Sequence, residues 1–245
     1  MNYGYSQNII DAICAIKSNK MILVFDSDSR EGETDMIIPA NAVTKEIVFN
    51  MRRDGGGLIC VALDPIASKQ LGLPFISDII NECSEKSNLV KAVVEKKGDV
   101  PYDGRSSFSI WVNHRSTRTG IIDIDRAKTI NKVGEIVEKT LSGEKIKFSD
   151  EFRTPGHVAL LRAADGLLNE RAGHTELSLA LAKMANTNPA MVVCEMLDNN
   201  GSGKALSKQD AKEYGKNKNI VCLEGKEVIE AYKLFNSSFE TNDSI

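Results

Sequence analysis

Apolar positions along this chain recur at two spacings, and these spacings predict a mixture of helices and strands. A spacing of three or four residues, typical of an amphipathic helix, occurs in four segments. These segments contain Ile9, Ile13 and Ile16; Ile47, Val48 and Met51; Ile130, Val133 and Val137; and Leu177, Ala180, Leu181 and Met184. Short apolar or alternating runs predict strands at residues 21–25, 58–63, 108–112, 191–197 and 221–223, and Ser207 predicts the start of a last helix.

The order of these elements indicates the fold class. Helices and strands are intermixed, and no proline-rich or glycine-rich linker separates them. We therefore expect a single α+β domain over residues 1–236, with helices packed on a mixed β-sheet. The polar, lysine-rich run at residues 82–104 predicts a surface excursion, and residues 237–245 predict a disordered tail.

The composition argues against several classes of protein. The 245 residues are 42% hydrophobic, enough for a substantial core, and carry a formal net charge of −3. No long lysine or arginine run is present, so we expect no nucleic-acid or membrane partner. The apolar runs are too short to span a membrane, and the five scattered cysteines include no Cys-x-x-Cys pair. These features predict a cytoplasmic protein with reduced thiols.

An acidic segment at residues 26–35 is the strongest candidate for chemistry. It contains five carboxylates and one arginine directly after an apolar run. Carboxylates this close repel one another unless a cation, a proton or a substrate offsets their charge. In an extended backbone Glu31, Glu33 and Asp35 would share one face, about 7 Å apart, and could hold a hydrated metal ion or a polyol. A solvated acidic loop remains an equally good interpretation of this segment alone.

Two histidine-containing motifs occur in the second half of the chain. Residues 153–157 read Arg-Thr-Pro-Gly-His, which predicts a rigid turn that presents His157 either as an acid or base or as a structural ring. Residues 171–176 read Arg-Ala-Gly-His-Thr-Glu and open a predicted helix. The free N–H groups at the start of this helix, together with Arg171, favour phosphate binding. Two ordinary features of a helix start are alternatives: Thr175 as the N-cap, and Glu176 as a partner of the helix dipole.

Glu195 lies within the apolar run at 191–197. A carboxylate there must be paired, protonated or placed at a strand end that faces a cleft. His114 follows an alternating strand and is predicted to be a surface or loop residue. The carboxylate cluster and a histidine suit Mg²⁺ or Mn²⁺, and the helix start suits a phosphate, so together they indicate a phosphosugar as substrate. A metal-stabilised enediolate is the expected chemistry, and this reasoning leaves isomerase, aldolase and lyase open.

Several blocks of sequence, taken together, resemble 3,4-dihydroxy-2-butanone 4-phosphate synthase of riboflavin biosynthesis. The blocks lie in the family's order across most of residues 21–201: 28–35, 57–60, 125–126, 153–158, 161–163, 171–176 and 194–195. The long run at 82–104 is more similar to archaeal, monofunctional members. Gly32 and Thr34 depart from the asparagine and glycine that are common in bacterial members.

The resemblance implies conversion of D-ribulose 5-phosphate to L-3,4-dihydroxy-2-butanone 4-phosphate and formate, by a homodimer that needs Mg²⁺ or Mn²⁺ and no organic cofactor. It implies metal binding by Glu31 and His174. The catalytic residues it implies are His157, Glu195, Glu33 and Asp35. The substrate contacts it implies are Arg30, Glu31, Asp35, Arg171, Ala172, Gly173, His174, Thr175 and Glu195.

Two other functions remain as alternatives. One is another metal-dependent phosphosugar isomerase or aldolase, and the other is a non-catalytic protein that binds a sugar phosphate. The sequence ends without the cyclohydrolase domain that fused family members carry, so the resemblance does not imply a GTP-opening activity.

Overall fold

The strands of this protein form one mixed sheet. The computed structural model describes residues 4–83, 90 and 92–240. The strands are β1 Ile22–Phe25, β2 Thr34–Pro39, β3 Cys60–Leu63, β4 Phe108–His114, β5 Phe152–Arg162, β6 Ala190–Glu195 and β7 Val221–Glu224. They lie in the order β4-β5-β3-β6-β2-β1-β7. The pairs β1–β7 and β3–β5 are parallel and the other four are antiparallel.

Helices cover both faces of the sheet. The described residues contain α1 Gln7–Lys17, α2 Lys45–Asn50, α3 Pro65–Gln70, α4 Ile76–Cys83, α5 Asp123–Leu141, α6 Phe148–Glu151, α7 His174–Met184, α8 Lys208–Lys218 and α9 Gly225–Glu240. Four of them begin at a side chain that accepts a backbone N–H bond: Ser6, Thr44, Asp64 and Ser207. None of the helices in the described ranges is long and apolar enough to cross a membrane.

The two faces of the sheet are built by alternation along each strand. On β1, Ile22 and Val24 pack with α1, α7 and α9, whereas Leu23 faces the opposite core with α2, α3 and α5. Met191 and Val193 of β6 likewise join the first core. Because successive strand residues point to opposite faces, every second residue of β2, β3 and β6 faces α7. The same alternation determines which polar side chains of β2, β3 and β6 lie next to one another.

The predicted α+β fold with a mixed sheet is confirmed, and each predicted helix and strand named above has a counterpart. The separate turn predicted at residues 153–157 is wrong, because this segment lies within β5. Val158 pairs with Val112 and Arg153 with Asn113, so residues 154–157 form a bulge in the strand.

The ends of three predicted segments also differ from expectation. His114 is the half-buried last residue of β4, not a loop residue, and its imidazole contacts Ser116 and Glu151. Helix α9 includes residues 237–240, which belong to the predicted tail, whereas 241–245 lie outside the described residues. Part of the predicted excursion at 82–104 also lies outside them, and the rest is mostly exposed turns.

Gly156 permits the close approach of β5 to β4. A Cβ atom at this position would overlap the carbonyl group of Val112 and the backbone nitrogen of Asn113, and neither backbone group can rotate away. We expect Gly156→Ala to lower the free energy of unfolding by about 1–3 kcal/mol, as overpacking does elsewhere. Urea denaturation measures this change. Gly104→Ala is the matched control, since a Cβ there meets nothing within 4 Å; equal stability of the two variants would contradict the explanation.

Candidate active site

Polar side chains from three neighbouring strands meet at the start of helix α7. Asp35 of β2 pairs with Glu195 of β6, and Cys60 of β3 pairs with Val193 of the same strand. Alternation directs all three polar side chains to the face that α7 covers. They line one pocket with residues from the loop after β1, from α7 and from the segment before β4. Its predicted site residues are Arg30, Glu31, Glu33, Asp35, Arg171, His174, Thr175 and Glu195.

Asp26 organises the loop between β1 and β2. Its Oδ2 accepts the backbone N–H of Glu31 at 3.0 Å, and its Oδ1 accepts that of Glu33 at 3.1 Å. The same carboxylate pairs with Arg30 at 3.1 Å. Residue 31 therefore lies in a turn, and Gly32 has a φ of 69°. The predicted extended row of Glu31, Glu33 and Asp35 is wrong, although the turn still brings all three carboxylates into the pocket.

His174 is oriented by a hydrogen bond to the sheet. Its Nε2 lies 3.2 Å from the carbonyl oxygen of Val24, and a carbonyl can only accept, so Nε2 carries the proton. Nδ1 then faces Glu31 at 3.3 Å and Asp35 at 3.5 Å. The predicted convergence of Glu31 and His174 is confirmed within one chain.

The crowded carboxylates change one another's protonation. Burial raises the pKa of Asp35 to about 8, opposed by the charge of His174 and reinforced by Glu195 and Glu31. Burial also raises the pKa of Glu33, and the charge of Glu31 adds to this shift. For Glu31, burial is outweighed by the hydrogen bond and charge of His174, so its pKa is lowered. Burial opposes protonation of His174, but the charges of Asp35 and Glu31 raise its pKa to about 9.

Asp35 and His174 form a coupled, buried pair. The imidazolium form of His174 is favoured, because Glu31, whose own pKa is lowered, also pairs with Nδ1. The pocket therefore holds a proton at neutral pH that a bound cation would displace.

The helix start is built differently from the predicted phosphate cradle. The N-cap of α7 is Gly173, with no side-chain cap bond, so the interpretation of Thr175 as the cap is wrong. Arg171 folds back to pair with Glu176 at 2.6 Å, and Glu176 also accepts the N–H of Ala164 at 3.0 Å. A Cβ at position 173 would overlap the Arg171 guanidinium, so glycine permits this fold-back. Glu176 is thus a partner of Arg171 as well as a first-turn acid.

Glu195 lies at the end of β6, where a glycine admits its side chain. Its Oε2 accepts the backbone N–H of Leu58 at 2.8 Å, and a Cβ at Gly57 would overlap its carboxylate. The glycine triplet at residues 55–57 ends the preceding helical segment, with Gly56 in the left-handed region at φ 87°. Glu195 is therefore the paired carboxylate at a strand end that its sequence position indicated.

His157 lies apart from these residues. Its side chain is exposed on the β5 bulge and does not line the pocket. Buried Asn113 fixes it twice, accepting the backbone N–H of His157 at 2.9 Å and placing its amide nitrogen 3.1 Å from Nδ1. The amide nitrogen can only donate, so Nδ1 accepts and the neutral ring carries its proton on Nε2. Ala172 and Gly173, also predicted as substrate contacts, lie beside the pocket and do not line it.

Sequence reasoning did not single out two residues that shape the site, Asp26 and Asp103. Asp26 forms with Glu31 and His174 a group whose possible ligand atoms lie within 4.8 Å of one another. Asp103, within the predicted surface excursion, contacts both Arg30 and Arg171. No local pattern marks Asp103, because its partners are about 70 residues away on either side.

The arrangement suits chemistry on a phosphorylated polyol. A group of two carboxylates and an imidazole can hold a hard divalent cation. The Oδ1 atom of Asp35 is buried and, among the described residues, lacks a hydrogen-bond partner, so it is available to a hydroxyl group or a metal-bound water. The buried thiol of Cys60 is unreactive, because burial raises its pKa well above the usual value.

Comparisons with known proteins identify relatives over nearly the whole chain. The sequence profile of one family, described as 3,4-dihydroxy-2-butanone 4-phosphate synthase, matches residues 10–231. The synthase of that name from Methanosarcina acetivorans is 62% identical over 238 residues, covering 97% of this chain and 96% of that protein. The synthase of Archaeoglobus fulgidus is 51% identical over 225 residues, covering 92% and 94%.

Solved structures of the same name share the fold. The synthase of Candida albicans superposes with a TM-score of 0.70 at 26% identity, covering 92% of this chain and 97% of that one. A synthase in complex with two magnesium ions gives a TM-score of 0.70 at 27% identity, covering 89% and 93%. The family profile spans almost every element that builds the pocket, and the relatives cover more than nine-tenths of this chain. This chain therefore belongs to the 3,4-dihydroxy-2-butanone 4-phosphate synthase family.

Proposed function

We propose that this protein converts D-ribulose 5-phosphate to L-3,4-dihydroxy-2-butanone 4-phosphate and formate in riboflavin biosynthesis. The observation that carries the proposal is the pairing of Glu31 with Nδ1 of His174 in a pocket that also contains Arg30 and Arg171. A metal-binding pair beside two guanidinium groups matches a substrate with a keto-alcohol at one end and a phosphate at the other. The chain acts as a single catalytic domain in the cytoplasm.

Glu31 and His174 hold the metal ion, Mg²⁺ or Mn²⁺, and no organic cofactor takes part. The orientation of His174 supports this assignment, because its Nε2–H is bound to Val24, so Nδ1, which faces Glu31, is the ring atom that would bind the ion after losing its proton. Asp26 lies within the same group, but its two oxygens already accept three hydrogen bonds. We therefore assign Asp26 to positioning the loop. When bound, the ion supplies Lewis-acid polarisation of the substrate's adjacent oxygens.

The phosphate binds at the arginines and the start of α7. Arg30 and Arg171 provide charge-assisted donors, and α7 begins at His174, so the free N–H groups of its first turn and its positive dipole end lie where His174 and Thr175 line the pocket. Thr175 lines the pocket and adds a hydroxyl donor. These groups hold the substrate so that its carbon chain crosses the carboxylates.

The remaining carboxylates move protons. Burial raises the pKa of Asp35 to about 8, so Asp35 can give and take a proton near neutral pH, and burial raises the pKa of Glu33 in the same direction. Glu195, held by the Leu58 N–H, faces Asp35 across the pair of strands and contacts the substrate. These carboxylates exchange protons directly with neighbouring carbons of the bound substrate, without a water molecule as the carrier.

The protein is a homodimer in which His157 serves the pocket of the partner subunit. The ring presents Nε2 to solvent outside its own pocket, as a residue that acts across an interface would. Large apolar side chains are exposed on the neighbouring strand, in the loop after it and at the start of α5: Trp111 at 47%, Ile121 at 49%, Ile122 at 53% and Ile124 at 59%. A surface of this kind is typical of a subunit contact.

Formate release tests the reaction. We expect wild-type protein with ribulose 5-phosphate and Mg²⁺ to release one formate per substrate consumed, and Glu31→Gln or His174→Gln to lower kcat/KM at least about 100-fold, the effect of losing a preorganised charged group. Glu138→Gln and His114→Gln are matched controls outside the pocket and should retain activity.

The outcome separates the alternatives. Consumption of substrate without formate would indicate an isomerase or aldolase, because isomerisation releases no carbon. Binding of ribulose 5-phosphate with no turnover of any pentose phosphate would indicate a non-catalytic binding protein. Full activity of both pocket variants would contradict the assignment of the site.

Metal binding should release a proton from His174. Its pKa is raised to about 9, so below that pH Nδ1 is protonated and a cation must displace the proton. The apparent Mg²⁺ affinity should therefore rise from pH 6.5 to 9, by up to about tenfold per unit for each proton released. Calorimetric titration in buffers of different ionisation enthalpy counts the protons. His174→Gln should lower the count by about one, His114→Gln should not, and a pH-independent affinity would refute the assignment.

Mixed dimers test the shared site. Glu31→Gln and His157→Asn subunits, each inactive alone, should regain about a quarter of wild-type formate release when randomly paired, since half the dimers are mixed and each has one intact site. The pair Glu31→Gln with His174→Gln is the control, because both residues belong to one subunit's pocket. If the first mixture regains no more activity than the control, His157 does not act across the interface.

A further inference from the structure

Arg30 and Arg171 are each anchored on one side by a fully buried carboxylate. Nη1 of Arg30 lies 3.1 Å from Asp26, and Nη1 of Arg171 lies 2.6 Å from Glu176. Both carboxylate side chains are 0% exposed, and both also accept backbone N–H groups. These two ion pairs belong to the framework of the protein, because breaking either would leave a buried charge without its partner.

The other side of each arginine is directed at one shared atom. Nη2 of Arg30 lies 2.5 Å from Oδ2 of Asp103, and Nη2 of Arg171 lies 2.6 Å from the same oxygen. One oxygen between two guanidinium groups is the geometry in which a phosphate oxygen is bound. Asp103 thus occupies the point where Arg30 and Arg171 converge.

Asp103 differs from the two anchoring carboxylates in its place in the fold. Asp26 directly follows β1 and Glu176 lies in the first turn of α7, whereas Asp103 lies in the irregular segment before β4. The ring of its neighbour Tyr102 is 5.5 Å from the Arg30 guanidinium and is about 40% exposed. The Asp103 side chain itself is 8% exposed and belongs to neither the Arg30–Asp26 nor the Arg171–Glu176 pair, so its replacement by a ligand leaves both of these ion pairs intact.

We propose that Asp103 is a specificity-determining residue, an internal anion that the substrate phosphate must displace from Arg30 and Arg171. The proposal rests on the function proposed above, in which these arginines bind the phosphate. A phosphate dianion brings two charges and several oxygens, so it replaces one carboxylate with a net gain of contacts. A monoanion offers no more than Asp103 already provides, and an uncharged sugar offers less. The contact thereby favours phosphorylated over unphosphorylated ligands.

Inorganic phosphate is a probe that separates binding from turnover. We expect metal-free Asp103→Asn protein to bind phosphate about tenfold more tightly than wild type. This is the effect expected when one charged hydrogen bond no longer competes with phosphate for the arginines. Calorimetry at fixed ionic strength measures this affinity. Asp99→Asn is the matched control, because Asp99 lies on the same segment and contacts the backbone N–H of Lys96 instead; its phosphate affinity should stay within about twofold of wild type.

A second variant keeps the test independent of the asparagine amide. Asp103→Ala leaves a space of the size of a carboxylate, so acetate should compete with phosphate in this variant and not in wild type. Thermal unfolding confirms that each variant is folded. Unchanged or weaker phosphate binding in both variants would overturn the proposal and would indicate that Asp103 merely orients the arginines.

The two proposals fail in different ways. Formate release by wild type together with unchanged phosphate affinity in the variants would preserve the proposed reaction and overturn the role of Asp103. Tighter phosphate binding by the variants without any formate release would support the role of Asp103 as a competing anion and overturn the reaction.

Discussion

The pocket depends on the hydrogen bond from Nε2 of His174 to the carbonyl oxygen of Val24. This bond joins the first residue of α7 to the end of β1, where the acidic loop begins. It fixes both the position of the ring and its tautomer, so Nδ1 has only one direction to face, toward Glu31 and Asp35. Rotation of the ring would leave the buried Nε2–H without its partner, at a cost of roughly 1–3 kcal/mol. The sheet thus sets the geometry of the chemistry.

That geometry concentrates negative charge where the sheet is buried. Asp35 is 2% exposed, and Glu33 and Glu195 add to the charge around it. The energetic problem is solved locally, by a proton on the cluster and by the imidazolium of His174. A divalent cation is a stronger solution to the same problem, because it brings two charges and displaces protons. The crowded carboxylates therefore lower the stability of the protein when no positive charge offsets them. The same negative charge makes the site selective for cations.

The sequence predicts most of the fold because the periodic signals are local. Alternation and helical stripes located the elements, since burial on one face imposes the period directly. Proline and glycine at residues 155 and 156 were misleading, because these turn-forming residues also occur at bulges, and only the pairing with β4 distinguishes the two. The extended row at Glu31 failed for a related reason: Asp26 binds the N–H groups of the loop and bends it.

The site was less predictable than the fold wherever its contacts are long-range. Glu31 and Glu195 stand out in the sequence because each breaks a local rule, as a charge crowded by other charges or set within an apolar run. His174 is marked by its place at the start of a predicted helix and by the family resemblance. Asp103 breaks none. On a polar, exposed segment a single aspartate is ordinary, and only the folded chain places its oxygen between two arginines. Each of those arginines is already paired on its other side, with Asp26 or with Glu176, so their Nη2 atoms are left to bind one further anion. The point that attracts a phosphate is therefore the point that the Asp103 carboxylate occupies before the phosphate arrives.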